Sequence, residues 1–378
     1  MSGDGSDERL RRWRLVLGDS GDEALPGLGR TDQRVDQALG ALYDADRTGG
    51  LGSTAPGVAR WLGDIRGYFP TSVVRVMQRD ALERLGLKQL LLEPELLASV
   101  EPDVHLVATL IALSHVIPSR TRETARAVVR QVVEEIERRL ADPLRQAVHG
   151  ALSRSLRTTR PRLAEIDWPR TVQANLKHYL PEQRTVVPQR LVGYGRKRQR
   201  LKDVIVAIDQ SGSMAESVVY ASVLGAVMAS IPSLRTRLVV FDTAVVDMTE
   251  SLTDPVDVLF GVQLGGGTDI GAAVDYCASL VTRPADTVMV LISDLFEGGI
   301  RERLLHRVTM LVGSGVRFVA LLALSDSGHP MYDHALAAEL ANLGVPAFAC
   351  TPNLFPELLA AALSHQDLQA WAAANDLT

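Results

Sequence analysis

Val204-Ile205-Val206-Ala207-Ile208 is an unbroken apolar run that stops at Asp209, and Val288-Met289-Val290-Leu291-Ile292-Ser293 likewise closes at Asp294. A strand that is apolar on both faces must be covered on both, which belongs to a parallel sheet flanked by helices. Leu238–Asp242, Phe318–Leu324 and Pro346–Cys350 read as further strands. Between them lie the helical stretches Ala215–Ile231, Ile270–Leu280, Arg301–Leu311, Ala335–Leu343 and Phe355–Leu363. A short hairpin is expected over Phe241–Thr249. The alternation predicts a doubly wound, mostly parallel, Rossmann-like α/β domain over residues 201–378.

A chain of 378 residues exceeds one ordinary core. Residues 1–152 read as a separate all-α domain, with helices expected at Arg34–Tyr43, Val58–Tyr68, Ser72–Leu85 and Val104–Ile117. In Arg122–Leu140 the positions Ala125, Val128, Val129, Val132, Val133, Ile136 and Leu140 form one apolar stripe at helical spacing. Residues 153–200 change character, holding twelve Lys and Arg against Glu165, Asp167 and Glu182, with prolines at 161, 169, 181 and 188. They read as a basic connector, ordered in parts, with one helix at Thr171–Tyr179.

Hydrophobic residues at 46% and charged residues at 22% describe a globular chain. The net charge of −5 predicts no overall attraction to nucleic acid or to an anionic membrane. Cys277 and Cys350 sit in apolar contexts and read as reduced core thiols. The polar segment Met1 to Leu10 lacks the apolar core of a signal peptide, and Val104–Ile117 is too short and too interrupted for a membrane span. The expected location is the cytoplasm.

In doubly wound folds, ligands sit beyond the carboxyl ends of the strands, where Asp209 and Asp294 both fall. Asp209, Ser211 and Ser213 alternate along one tight turn eased by Gly212. Thr268 adds a hydroxyl from the loop Gly265-Gly266-Gly267-Thr268-Asp269. Hard oxygens of this kind suit Mg²⁺, or Mn²⁺, and serve soft metals badly. Each piece alone has a plainer role: a strand-terminal Asp or a following Ser caps a helix, and a glycine loop makes a turn. Five pieces in one order, on correctly placed elements, favour a cation site. Asp242 ends a neighbouring strand, where a turn role serves as well. The glycine loop fails G-x-G-x-x-G at Ile270, no P-loop is present, and Ser211 lies outside G-x-S-x-G, so nucleotide and hydrolytic sites are not expected.

With Asp209, Ser211, Ser213, Thr268 and Asp294 in place, the chain resembles a von Willebrand factor A domain carrying the five-residue metal-ion-dependent adhesion site. The segments at Asp64–Pro70 (DIRGYFP), Ile166–Thr171 (IDWPRT) and Asp209–Met214 (DQSGSM) are similar to the bacterial CoxE-like group. That resemblance implies a non-enzymatic cytoplasmic adaptor working beside a MoxR-type AAA+ ATPase in protein assembly or remodelling. It also implies a partner Asp or Glu completing the ion's shell. The competing expectation is RNA binding through the basic connector, which the acidic net charge and the short helical part weigh against.

Overall fold

The computed structural model describes residues 15, 28–43, 55–84, 91–154, 157–158, 163, 166–194, 201–262, 266–325 and 331–377. Met1–Leu10, the basic cluster Arg196–Arg200 and Gly265 lie outside them. The backbone divides into two units, Met1–Val132 and Val133–Thr378.

The first unit is helical, with helices Arg30–Tyr43, Ala55–Tyr68, Thr71–Arg84 and Val104–Ala112. Its core gathers Leu42, Trp61, Ile65, Met77, Leu106 and Leu110, all buried, and the Trp61 indole N–H donates to the Ala38 carbonyl at 2.9 Å. The DIRGYFP segment makes a corner here: Ile65 is buried, the helix ends at Tyr68, and Pro70 opens the next one. The helix Ser119–Arg154 starts in this unit and ends in the second. It runs past the expected stop at Leu140 because Leu144, Val148 and Leu152 continue the buried stripe beyond Pro143.

Within the second unit, Asp167 caps the helix Trp168–Ala174 by accepting the Arg170 N–H. This helix stops short of the expected Tyr179 because the buried Asn175 side chain is used elsewhere. Its amide donates to Thr171 O and Arg190 O (2.6 and 2.7 Å) and accepts from the N–H groups of Gln189 and Arg190 (3.0 and 3.1 Å). Thr171 Oγ1 both donates to Val192 O and accepts from Val192 N–H. The IDWPRT segment therefore folds the connector back upon itself.

The sheet of this unit contains β1 (Lys202–Asp209), β2 (Leu234–Phe241), β3 (Val245–Asp247), β4 (Thr287–Ile292), β5 (Arg317–Leu324) and β6 (Ala347–Cys350). Its six strands lie in the order β6-β5-β4-β1-β2-β3, parallel except for the antiparallel edge strand β3. The expected mostly parallel α/β sheet is what the chain forms. β2 begins four residues earlier than expected because Leu234-Arg235-Thr236-Arg237 alternates, burying Leu234 and Thr236 and turning Arg235 outward.

Helices α1 (Ala215–Ala229), α2 (Pro255–Gly261), α3 (Ile270–Leu280), α4 (Arg301–Gly313), α5 (His334–Asn342), α6 (Phe355–Leu363) and α7 (Leu368–Ala374) accompany the strands. α2 was not expected, although Asp254 caps it through Val256 N–H and Pro255 opens it. By length and composition Gly212–Ala229 could cross a membrane, yet 72% of it is buried inside the protein, as befits a core helix. Cys277 and Cys350 are free and buried, and burial pushes both thiols up to about 12.

Candidate functional site

The chain reverses its direction of travel across the sheet between β1 and β4, and these strands pair in register through Ile208↔Ile292. Asp209 therefore emerges beside Ser293 and Asp294 at a topological switch point. Gln210 N–H is tied to Phe241 O at 2.9 Å, holding the turn after β1 against the end of β2.

Asp209 is fully buried. Its Oδ1 accepts the Ser211 N–H and its Oδ2 accepts the Ser293 hydroxyl, each at 2.8 Å. Burial raises its pKa above the usual carboxylate value, and the Asp294 charge adds to the rise. The Ser211 N–H, the Ser293 hydroxyl and the Ser211 hydroxyl act the other way. Asp209 is thus an Asx-turn residue whose second oxygen is held by the neighbouring strand. It does not cap the next helix.

Ser211 and Ser213 do not cap it either. Their hydroxyls lie 3.2 Å apart, and the Ser213 hydroxyl donates to Asp294 Oδ2 at 2.6 Å. Thr268 is half-buried and is brought to this edge through its backbone. Asp269 N–H donates to Asp242 O, and Gly298 N–H donates to Thr268 O, each at 2.8 Å. Hydrogen bonds join four of the five predicted residues, Asp209, Ser211, Ser213 and Asp294. Thr268 joins through its loop. Asp242 keeps a turn role, its Oδ1 accepting Ala244 N–H at 2.6 Å.

Two supporting residues escaped the sequence reading. Ser293 links Asp209 to the backbone, donating to the carboxylate and accepting the Leu295 N–H at 3.0 Å. Glu297 fastens the loop after β4 to α3, accepting Ile270 N–H at 2.8 Å and Gly299 N–H at 2.7 Å. Burial raises its pKa. Ser293 was legible only as the residue before a strand-end Asp, and Glu297 only as a carboxylate beside two glycines.

Charge sets this edge apart from the opposite one. Asp203, near the start of β1 and also buried, meets the guanidinium of Arg283 at 2.9 Å and that of Arg235 at 3.8 Å. Asp209 and Asp294 are buried as well, yet among the described residues no Lys, Arg or His forms an ion pair with either. Nor, among the described residues, do three His, Cys, Asp or Glu side chains gather as a metal-ligating group. The donor set is two carboxylates and clustered hydroxyls, an all-oxygen set that fits a hard divalent cation keeping part of its water.

This sheet order, with its hydroxyl–carboxylate edge, defines a von Willebrand factor A domain. The profile of the VWA domain containing CoxE-like proteins matches residues 140–359, and the chain belongs to that family. It is 36% identical over 361 residues to the uncharacterized protein YehP of Escherichia coli (strain K12), a match covering 93% of this chain and 96% of that protein. A solved structure of the conserved hypothetical protein BatB from Bacteroides thetaiotaomicron aligns at 15% identity over 43% of this chain and 98% of that one, with a TM-score of 0.34. An aerotolerance-related membrane protein from Bacteroides fragilis aligns at 17% identity over 45% of this chain and 99% of that one, with a TM-score of 0.32.

Proposed function

We propose that this protein is a non-enzymatic, Mg²⁺-dependent protein-binding adaptor of the cytoplasm. Asp209, Ser211, Ser213, Thr268 and Asp294 would hold the cation, Mg²⁺ or Mn²⁺. When bound, the ion supplies a positive centre able to attract an Asp or Glu carboxylate from a partner protein.

The observation that carries this reading is the pair of buried carboxylates, Asp209 at the end of β1 and Asp294 just after β4. Neither has a cationic partner among the described residues, whereas Asp203, the buried carboxylate near the start of β1, has two. Burying unpaired negative charge is costly, and a divalent cation offsets the cost. The chain's own residues prepare the place. Ser211 N–H and Ser293 fix the rotation of the Asp209 carboxylate, and Gly298 and Glu297 hold the Thr268 loop to the loop after β4. The serine hydroxyls bond one another and Asp294, and no His is among their partners in the described residues, which supports binding over nucleophilic chemistry. Membership of the CoxE-like family supports a MoxR-type AAA+ ATPase, or its client, as the partner.

Calorimetric titration tests the ion: the wild-type chain should take up one Mg²⁺, and Asp209→Ala should abolish uptake while leaving the fold intact. Equal affinity in both proteins would refute the assignment. Co-precipitation with a MoxR-type ATPase, with and without EDTA, tests the partner. A complex indifferent to chelation rules out contact through this edge.

A further inference from the structure

Three large apolar side chains are exposed on segments that adjoin Asp294 or are tied to it: Phe296, Ile300 and Met331, exposed by 51%, 65% and 85%. Backbone and ionic contacts tether the segments that carry them to one another. Phe296 N–H approaches Asp294 Oδ1 at 3.4 Å, and Asp333 N–H donates to Asp294 O at 3.0 Å. Arg301, next to Ile300, contacts both Asp333 carboxylate oxygens at 3.2 Å.

Local structure gives up favourable choices to present them. Leu295 has φ of +64°, a left-handed conformation that leucine rarely adopts, and its side chain is fully buried in the core beneath α3 and α4. That twist, closed by Glu297 N–H donating to Leu295 O at 2.8 Å, turns the next residue, Phe296, outward. Ile300 occupies the N-cap of α4, where Ser, Thr, Asp or Asn would satisfy a helix N–H, and it provides no side-chain cap. Strain and mis-capping that cluster at one ligand edge mark a place shaped for binding.

We infer that Phe296, Ile300 and Met331 form an apolar rim that receives a large aliphatic or aromatic side chain adjacent to the partner's carboxylate. The occupant is a protein loop carrying Asp or Glu beside a residue such as Phe, Leu or Ile. This rests on the proposed carboxylate-binding role of the same edge. Continuity with that edge selects the occupant: a rim of this kind cannot hold an acid itself, but it adds buried area to one captured next door.

The test uses three cyclic octapeptides that differ only in a central pair, Asp-Phe, Asp-Ser or Asn-Phe, titrated into the full chain with Mg²⁺ and with EDTA. In Mg²⁺, the Asp-Phe peptide should bind at least about tenfold tighter than the Asp-Ser peptide. Phe296→Ser should erase that margin while leaving Mg²⁺ uptake and Asp-Ser binding unchanged. Ile300→Ser should narrow the margin while raising thermal stability, because serine caps α4, a combination that mere damage cannot produce. Equal, Mg²⁺-dependent binding of Asp-Phe and Asp-Ser overturns the rim and leaves the carboxylate reading standing. Asn-Phe binding as well as Asp-Phe, unaffected by EDTA, overturns both, as does no binding of any peptide.

Discussion

Gly298→Ala is the sharpest perturbation of the loop that carries Thr268. A methyl group at Gly298 would stand 2.7 Å from the backbone oxygen of Thr268, about 0.7 Å inside ordinary contact. The obstructing atom is backbone, so no side chain can swing aside. The loop after β4 must separate from the Thr268 loop, and the 2.8 Å Gly298 N–H to Thr268 O bond goes with it. Overpacking costs about 1–3 kcal/mol and the lost bond about 1 kcal/mol more. Stability should fall by roughly 2–4 kcal/mol, read as a lower urea midpoint at unchanged slope. If only half the strain reaches the bound state, Mg²⁺ affinity falls roughly five- to thirtyfold. Two neighbours calibrate the measurement. At Gly299 a methyl meets the Glu297 and Asp269 carboxylates, side chains that can shift at the expense of their own hydrogen bonds where the Thr268 backbone cannot, so Gly299→Ala should cost less. At Gly313, the last residue of α4, nothing lies within 4 Å, and Gly313→Ala should be neutral or stabilising by up to about 1 kcal/mol. If Gly298→Ala matches Gly313→Ala in both urea midpoint and Mg²⁺ titration, the reasoning is wrong.

Ser293→Ala removes a hydrogen bond to a buried carboxylate and orphans the Leu295 N–H, so it should destabilise the metal-free protein by about 3 kcal/mol in urea unfolding. A loss below about 0.5 kcal/mol would contradict the geometry. Because the folded pKa of Asp209 is raised, its stabilising contribution is complete below the ordinary carboxylate range and is lost as pH rises through the raised value. In EDTA, Asp209→Asn should therefore gain on wild type as pH climbs from acid to neutral, and parallel pH profiles would refute this. Asn175→Ala strips four backbone-directed hydrogen bonds from the connector and should speed tryptic cleavage at Arg184 or Arg190 roughly tenfold. Unchanged digestion would show that Thr171 alone holds the turn. With thiols pushed to about 12 by burial, Cys277 and Cys350 should ignore a disulfide reagent at pH 8 until denaturant is added.

Much of the α/β unit was legible because its strands are apolar on both faces and end where polarity returns. Asp209 and Asp294 stand at those ends, and a parallel register between β1 and β4 is enough to bring them together. What stayed hidden depends on pairings far apart in sequence. Nothing local distinguishes Ser293 from any serine after a strand; its role appears only when Asp209 lies opposite. The exposure of Phe296 follows from the left-handed Leu295, a conformation that residue type argues against. Likewise, Asn175 ends a helix that periodicity would have continued, because its amide serves residues 189 and 190.

The Ser293–Asp209 contact spans 84 residues of chain and the Ser213–Asp294 contact 81. Neither can form until β1 and β4 have paired, and α1, β2, β3, α2 and α3 lie between them in the chain. Contacts of such long range are expensive in chain entropy and tend to close late on a folding route. A cation held at this edge would therefore find no binding place in an early, partly folded chain. It would leave the folding rate almost untouched and act as a clasp on the finished sheet, slowing its opening.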